Sequence, residues 1–376
     1  MKTKMYIVSL CIVVVFLLTN CSKQDPYYIG FAEDQSSHMS SVYTSLTNGR
    51  KLQSSQLEMN RHFRFVYYDT KRDPENAANA FRDFFQKYDH GIMMGTPSAE
   101  CAQVSKFVAD VWDRTFVCNS YQTTIVDQVK TTLLMNQNPL YQGTLSARYL
   151  VSEMNKQRIC VVVDQSNEQL LTIKEGFTQE GNSIDATIME IGFTNENAVD
   201  PNTLFAKISQ SNVDAIFLLT SPSMYQTMIL TARKDFAIYV PIILPTLPNE
   251  NVEWNSFWED TFFFIPFFDD KPSFVSSSFY QSYLKTFGNV PDYYAALGAD
   301  EMLLINHVAS SSKQNSLNGM YKDLRNADLS AIEFLTGLKG FDSKGLSLKP
   351  IDIVRFQNQA LVFQTSYWHE CTKQDL

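Results

Sequence analysis

The sequence predicts an α/β protein of two lobes, each a parallel sheet covered by helices. Three observations predict it. Strand-like apolar runs alternate with helix-like segments along the chain, the signature of parallel sheets buried on both faces. The alternation runs through once and restarts near residue 158. About 356 residues remain once the first 20 are set aside, more than a single core usually serves.

The elements follow in order. Residues 27–32 read as a strand that ends in the polar turn 33–37, and a polar-faced helix is expected over 38–60. The β-branched and aromatic run 63–68 reads as a strand. Asp73-Pro74 then opens a helix: Asp caps, and Pro suits the first helical position. Residues 91–94 form a buried strand, 99–112 a helix and 115–118 a strand. A helix over 143–155 leads to the second unit. That unit has strands at 158–163, 186–191, 214–219 and 240–244, with helices at 169–181, 201–209 and 223–234. Residues 262–268 are a further strand, followed by helices at 276–287 and 293–310. A surface loop is expected at 311–318, a short helix at 331–337 and a terminal hairpin over 351–364.

The N-terminus reads as a targeting segment. Lys2 and Lys4 precede an apolar run over 5–18, broken only by Ser9. A membrane span needs roughly 20 residues, so this run suits a secretory signal. It ends in Leu18-Thr19-Asn20-Cys21, which resembles a bacterial lipobox. The resemblance implies a signal peptide over 1–20, a lipid on Cys21 and a short tether over 21–26. Asn20 departs from the small residue usual before that cysteine, so an ordinary signal peptide or an uncleaved anchor stays open. All three place the globular part outside the cytoplasm.

Composition excludes several classes. The net charge is −9 and no basic stripe appears, so nothing marks a nucleic-acid surface. The histidines are dispersed, no cysteine pair has CxxC spacing, and no metal motif occurs. Cys101 and Cys118 could pair outside the cytoplasm, although buried free thiols are the blander reading. Nucleophile-elbow and phosphate-loop motifs are missing, and Gly337-Leu338-Lys339-Gly340 lacks the strand-to-helix context of a dinucleotide loop. No catalytic set, metal or cofactor is expected. Asp269-Asp270 reads as a solvated turn.

The order of elements resembles the type 1 periplasmic binding proteins, in their leucine/isoleucine/valine-binding branch. Ile29-Gly30-Phe31 is similar to the opening strand, and Asn48-Gly49 with Leu57-Glu58-Met59-Asn60 to the first helix and its end. Tyr67-Tyr68-Asp69 with Asp73-Pro74 is similar to the acidic strand end and helix start. Gly91-Ile92-Met93-Met94-Gly95 with Ser98-Ala99 resembles the ligand loop. Pro291 to Asp300 resembles a late helix, and Gly340-Phe341-Asp342-Ser343-Lys344-Gly345 a C-terminal turn. The resemblance implies two Rossmann-like lobes joined by a three-crossing hinge, with the ligand between them. The first lobe would hold 27–145 with 270–330, and the second 146–265 with 335–370.

Candidate ligand residues lie where strands end, because loops and helix N-termini converge there. Ser98 follows a strand and opens a helix, with Thr96 or Ala99 as substitutes if the alignment slips by one or more positions. The resemblance adds Gln122 and Thr123 from the loop 120–123. Thr220, Ser221 and Thr246 end strands of the second unit, and Asp34 with Gln35 borders the cleft from the first loop. Amino-acid binders of the family often place an acid near Thr246 and an aromatic in the loop 164–168. This chain has neither there. Asp164 is expected to cap the next helix or to supply charge; Phe267 and Phe268 are core or ligand wall. The implied function is closure on a small polar ligand, such as an amino acid or amide, with docking on an ABC transporter permease. A sensor, or an activator of a cell-wall synthase, stays open on the same fold.

Overall fold

The computed structural model describes residues 26–34, 40–95, 98–194, 200–248, 252–311 and 320–369. The signal segment, Cys21 and the expected loop at 311–318 fall wholly or almost wholly outside them.

The first lobe is a five-stranded parallel sheet. Its strands are β1 (Tyr27–Glu33), β2 (Phe63–Asp69), β3 (Gly91–Gly95), β4 (Phe116–Cys118) and β5 (Thr132–Leu134), in the order β2-β1-β3-β4-β5. Helices α1 (Ser40–Gln56), α2 (Pro74–Lys87) and α3 (Ala99–Val111) connect them. Both faces are covered. Ile29 and Phe31 join one core, while Ala32 joins Phe81 and Phe84 in the other.

The second lobe starts with α4 (Pro139–Arg148) and then alternates β6 (Arg158–Asp164), α5 (Glu168–Ser183), β7 (Thr187–Phe193), α6 (Pro201–Ser209), β8 (Ala215–Leu219), α7 (Tyr225–Leu230), β9 (Ile242–Leu244) and β10 (Thr261–Ile265). The chain then returns to the first lobe as α8 (Pro272–Val275), α9 (Ser278–Phe287), α10 (Tyr293–Ser311) and α11 (Met320–Arg325). A small hairpin, β11 (Gly340–Phe341) and β12 (Ser347–Leu348), precedes β13 (Ile351–Gln357) and β14 (Ala360–Tyr367). The second sheet has the order β14-β13-β10-β9-β8-β6-β7, parallel from β7 to β10 and closed by two antiparallel strands. In β6, Val161 and Val163 face one core while Cys160 and Val162 face the other, the two-residue alternation of a strand buried on both sides.

Local chemistry sets the helix starts. Asp73, Asn138 and Asp200 each accept a backbone N–H of the first turn, at 2.8, 3.0 and 3.0 Å, and each precedes a proline. Asn138 explains why the helix expected over 143–155 begins at Pro139; it then widens into a π turn over Tyr149–Glu153. The helix expected over 223–234 likewise ends in a π turn, Thr231–Asp235.

One expectation is corrected. Residues 331–337 are turns and not a helix, because the buried Asp300 carboxylate takes the N–H groups of Leu335 and Thr336 at 2.7 and 2.8 Å. Cys101 and Cys118 are separate buried thiols, the blander of the two readings. Core membership bears on where the lobes divide. Tyr141 and Leu145 of α4 pack in the second lobe's core, whereas Phe334, Leu338 and Leu346 pack with the first lobe. These cores put the crossings near Asn138, Pro266 and Pro350.

One device recurs in both lobes. A Cβ on Gly49 of α1 would stand 2.0 Å from Ala295 O of α10, and one on Gly298 of α10 would stand 2.2 Å from Leu46 O. In the second lobe, Gly143 of α4 and Gly176 of α5 meet Ile173 O and Leu140 O in the same way, at 2.0 Å each. Each lobe thus has one helix pair packed backbone to backbone. Ala is a better helix former than Gly by about 1 kcal/mol, yet Gly176→Ala is expected to lower the urea midpoint, because overpacking costs about 1–3 kcal/mol. An unchanged or raised midpoint would show that the seam can open without loss.

Candidate functional site

The parallel strands end in loops that face one another between the lobes. From the first lobe, β4 ends at Cys118 and the chain turns where Ser120 Oγ accepts the Gln122 N–H at 3.1 Å. From the second, β6 ends at Asp164, whose Oδ1 accepts the N–H and the hydroxyl of Ser166 at 2.9 and 2.6 Å. This turn delivers Asn167, which caps α5 by accepting the Leu170 N–H at 3.2 Å. Asp164 therefore shapes the loop, and Asn167 takes the capping role expected of it.

Between these loops lies a space of about 500 Å³. Ala99, Tyr121, Gln122 and Thr123 border it from the first lobe, and Asp164, Ser166, Glu168 and Thr172 from the second. Gln122 spans it: its Nε2 donates to Glu168 Oε2 at 3.2 Å. Gln103 steadies that amide, donating to Gln122 Oε1 at 3.4 Å and to Thr124 Oγ1 at 3.3 Å. The lining holds two carboxylates, Asp164 and Glu168, and no lysine, arginine or histidine. Tyr121 Oη lies 3.4 Å from Tyr294 Oη. Burial, with Tyr294 and Tyr293 nearby, raises its pKa well above the usual phenol value, so it stays a neutral hydroxyl. Behind the loop, burial pushes the Cys118 thiol up to about 12.

The structure brings together part of the residue set expected from sequence. Ala99, Gln122, Thr123 and Asp164 border the space. Ser98 caps α3, accepting the Cys101 N–H at 3.5 Å, and its hydroxyl lies 3.4 Å from Glu100. Thr96 and Gln35 lie outside the described residues, and Asp34 is buried beside Glu33. Thr220, Ser221 and Thr246 do not border the space. Thr246 shares its hydroxyl with Tyr225 Oη at 3.1 Å, and Ser221 bonds Ser223. Thr220 sits one step beyond the Val163–Leu219 pair, beside Asp164, with a buried hydroxyl that no described group satisfies. Phe267 and Phe268 belong to cores.

Several lining residues went unassigned from sequence, Glu168 and Thr172 among them. Glu168 and Thr172 are four residues apart on α5 and so share a face; the spacing was available, but nothing marked that face as the cleft wall. Asn119, directly after β4, is fully buried and does not line the space, and neither atom of its side-chain amide has a partner among the described residues. No metal-holding group of His, Cys, Asp or Glu occurs among the described residues, and none of their helices is long and apolar enough to cross a membrane.

Residues 26–355 match the family model described as periplasmic binding protein. The chain belongs to this family, which carries an extracytoplasmic location and a binding role. No curated protein matches it. The fold overlays a Rhodospirillum rubrum structure described as a branched-chain amino acid ABC transporter, with a TM-score of 0.80, 12% identity, and coverage of 90% of this chain and 100% of that one. A leucine binding protein from Thermotoga maritima gives 0.67 at 15% identity, covering 91% and 99%. An R. palustris solute binding protein in complex with benzoate gives 0.64 at 13%, covering 93% and 100%. At these identities the likeness is one of fold.

Burial makes a chemical prediction. Alkylation at pH 8 of the native protein, mapped by mass spectrometry, is expected to leave Cys101, Cys118 and Cys160 unmodified, and to label all three in urea. Labelling of native Cys118 would contradict the closed packing behind the loop.

Proposed function

We propose that this chain is a lipid-anchored solute-binding protein of an ABC transporter, which closes its lobes on a small polar ligand and leaves that ligand chemically unchanged. The observation that carries the reading is the space at the strand ends, bordered from both lobes and spanned by Gln122 and Glu168. Family membership supports it. Closure is favoured only by as much as the ligand binds the closed form better, and groups from both lobes provide that difference.

The wall chemistry narrows the ligand. Asp164 and Glu168 favour a hydrogen-bond donor or an ammonium, and no cation balances them in the lining. Amino acids, amides and amines fit this wall better than a simple monoanion such as benzoate. Ser120, Thr123 and Ser166 add neutral donors and acceptors for the remainder of the ligand.

A thermal-shift panel of amino acids, amides and amines tests the reading. Saturation at about 100 times Kd stabilises a protein by about 2.7 kcal/mol, so a true ligand is expected to raise the midpoint visibly. Glu168→Gln is expected to weaken an ammonium ligand about tenfold or more, and Gln122→Ala to weaken it less. A ligand indifferent to both substitutions binds elsewhere, and a panel with no shift refutes the assignment of class.

The anchor has its own test. Cys21→Ser is expected to move the protein from the membrane fraction to the soluble fraction and to abolish incorporation of labelled palmitate. Retention of the label would place the lipid on another residue.

A further inference from the structure

We infer that the hinge holds a second small-molecule site, on walls separate from those of the cleft, which takes a small amphiphilic carboxylate and couples its occupancy to the angle between the lobes. This goes beyond the ligand site proposed above.

The site is a cavity of about 700 Å³. Three sources form its walls. Gln53 of α1, Phe279 of α9 and Leu303 of α10 come from the first lobe. Lys271 and Pro350 come from the second and third crossings, and Ser366 and Trp368 from the end of the second lobe. None of these residues borders the cleft space. Turning one lobe against the other therefore changes the distance between the walls.

The chemistry of the walls indicates the ligand. Lys271 is only 6% exposed, and its ammonium is held at 3.0 Å from Asp352 and 3.9 Å from the centre of the Phe267 ring. An ammonium has three N–H donors, and Asp352 takes one of them. Beside it α9 begins: Ser277 caps the helix by accepting the Tyr280 N–H at 3.1 Å, and Ser278 adds a hydroxyl on the same wall. The Lys271–Asp352 pair is net neutral, so a carboxylate is favoured here through the ammonium's remaining donors and the helix start beside it. Phe274, Phe334 and Trp368 supply apolar surface for the body of the same molecule. Lys339 and Glu333 border the cavity as exposed groups.

Occupancy shifts the lobe equilibrium only through a difference in affinity between open and closed forms. The coupling is reciprocal, so a cleft ligand changes affinity at the hinge by the same factor.

Trp368 reports on the site directly. Its emission is taken as the difference between the unsubstituted protein and Trp368→Phe, with hexanoate and 3-phenylpropionate as probes and hexylamine and benzyl alcohol as counterparts. Both carboxylates are expected to give a saturable change, about tenfold weaker or more for the amine and the alcohol. Ser278→Phe, and independently Ser273→Phe, fills the cavity from an exposed position and is expected to weaken the carboxylates by about tenfold or more. Glu168→Gln is expected to leave this signal in place, so failure of the cleft reading and failure of this one are distinguishable. No saturable change with either carboxylate overturns the inference. So does a signal that survives both filling substitutions, or one that hexylamine produces equally.

Discussion

The relation between the lobes turns on one carboxylate. Asp352 opens β13, and its Oδ2 takes the Phe268 N–H at 2.8 Å and the Lys271 ammonium at 3.0 Å. Its other oxygen accepts the Ser366 hydroxyl of β14. One buried side chain therefore joins the second crossing, the start of the strand that follows the third, and the edge of the second sheet. A buried charge is tolerated when its partners are complete, and removing one partner costs about 3–5 kcal/mol. The crossings can bend only in ways that keep this junction satisfied.

The first lobe has a comparable fixed point. Arg50 of α1 is buried between Glu33, at the end of β1, and Glu301 of α10, at 2.5 Å from the latter. Coulombic attraction from both carboxylates outweighs desolvation and raises the arginine pKa, so it remains a cation there. The network ties a strand tip to two helices at the end of the sheet from which the cleft loops emerge. Lys349, next to the third crossing, stands in the same field. Burial lowers its ammonium to about 8, against the pull of Asp300 and Glu301. Charge is concentrated where the lobes must hold their shape.

Much of the fold was legible because its signals are local. Asp73-Pro74 and Asp200-Pro201 announce helix starts within two residues, and Gly91–Gly95 is an apolar run that a buried parallel strand requires. The failures are those of distance. β5 has three residues, too few to show a period, and exists because β4 pairs with it. Residues 331–337 have helical composition, but Asp300, more than thirty positions away, fixes their backbone as turns. The cleft shows the same division. Gln122 and Thr123 were readable from order and loop position, whereas Glu168 required knowing which face of α5 meets the other lobe. Thr220 and Thr246 follow strands of the second sheet, yet Thr220 is buried, Thr246 bonds Tyr225, and neither borders the opening.

The paired glycines of α1 with α10, and of α4 with α5, bear on how such a molecule moves. Helices whose backbones touch have no side-chain layer to shear, so each half behaves as a stiff plate. Whatever angle opens between the plates must then be absorbed by a few torsions near Asn138, Pro266 and Pro350, two of which are prolines with φ already restricted. The hinge thus has few degrees of freedom to lose on closing, and little entropy opposes the closed arrangement once a ligand favours it.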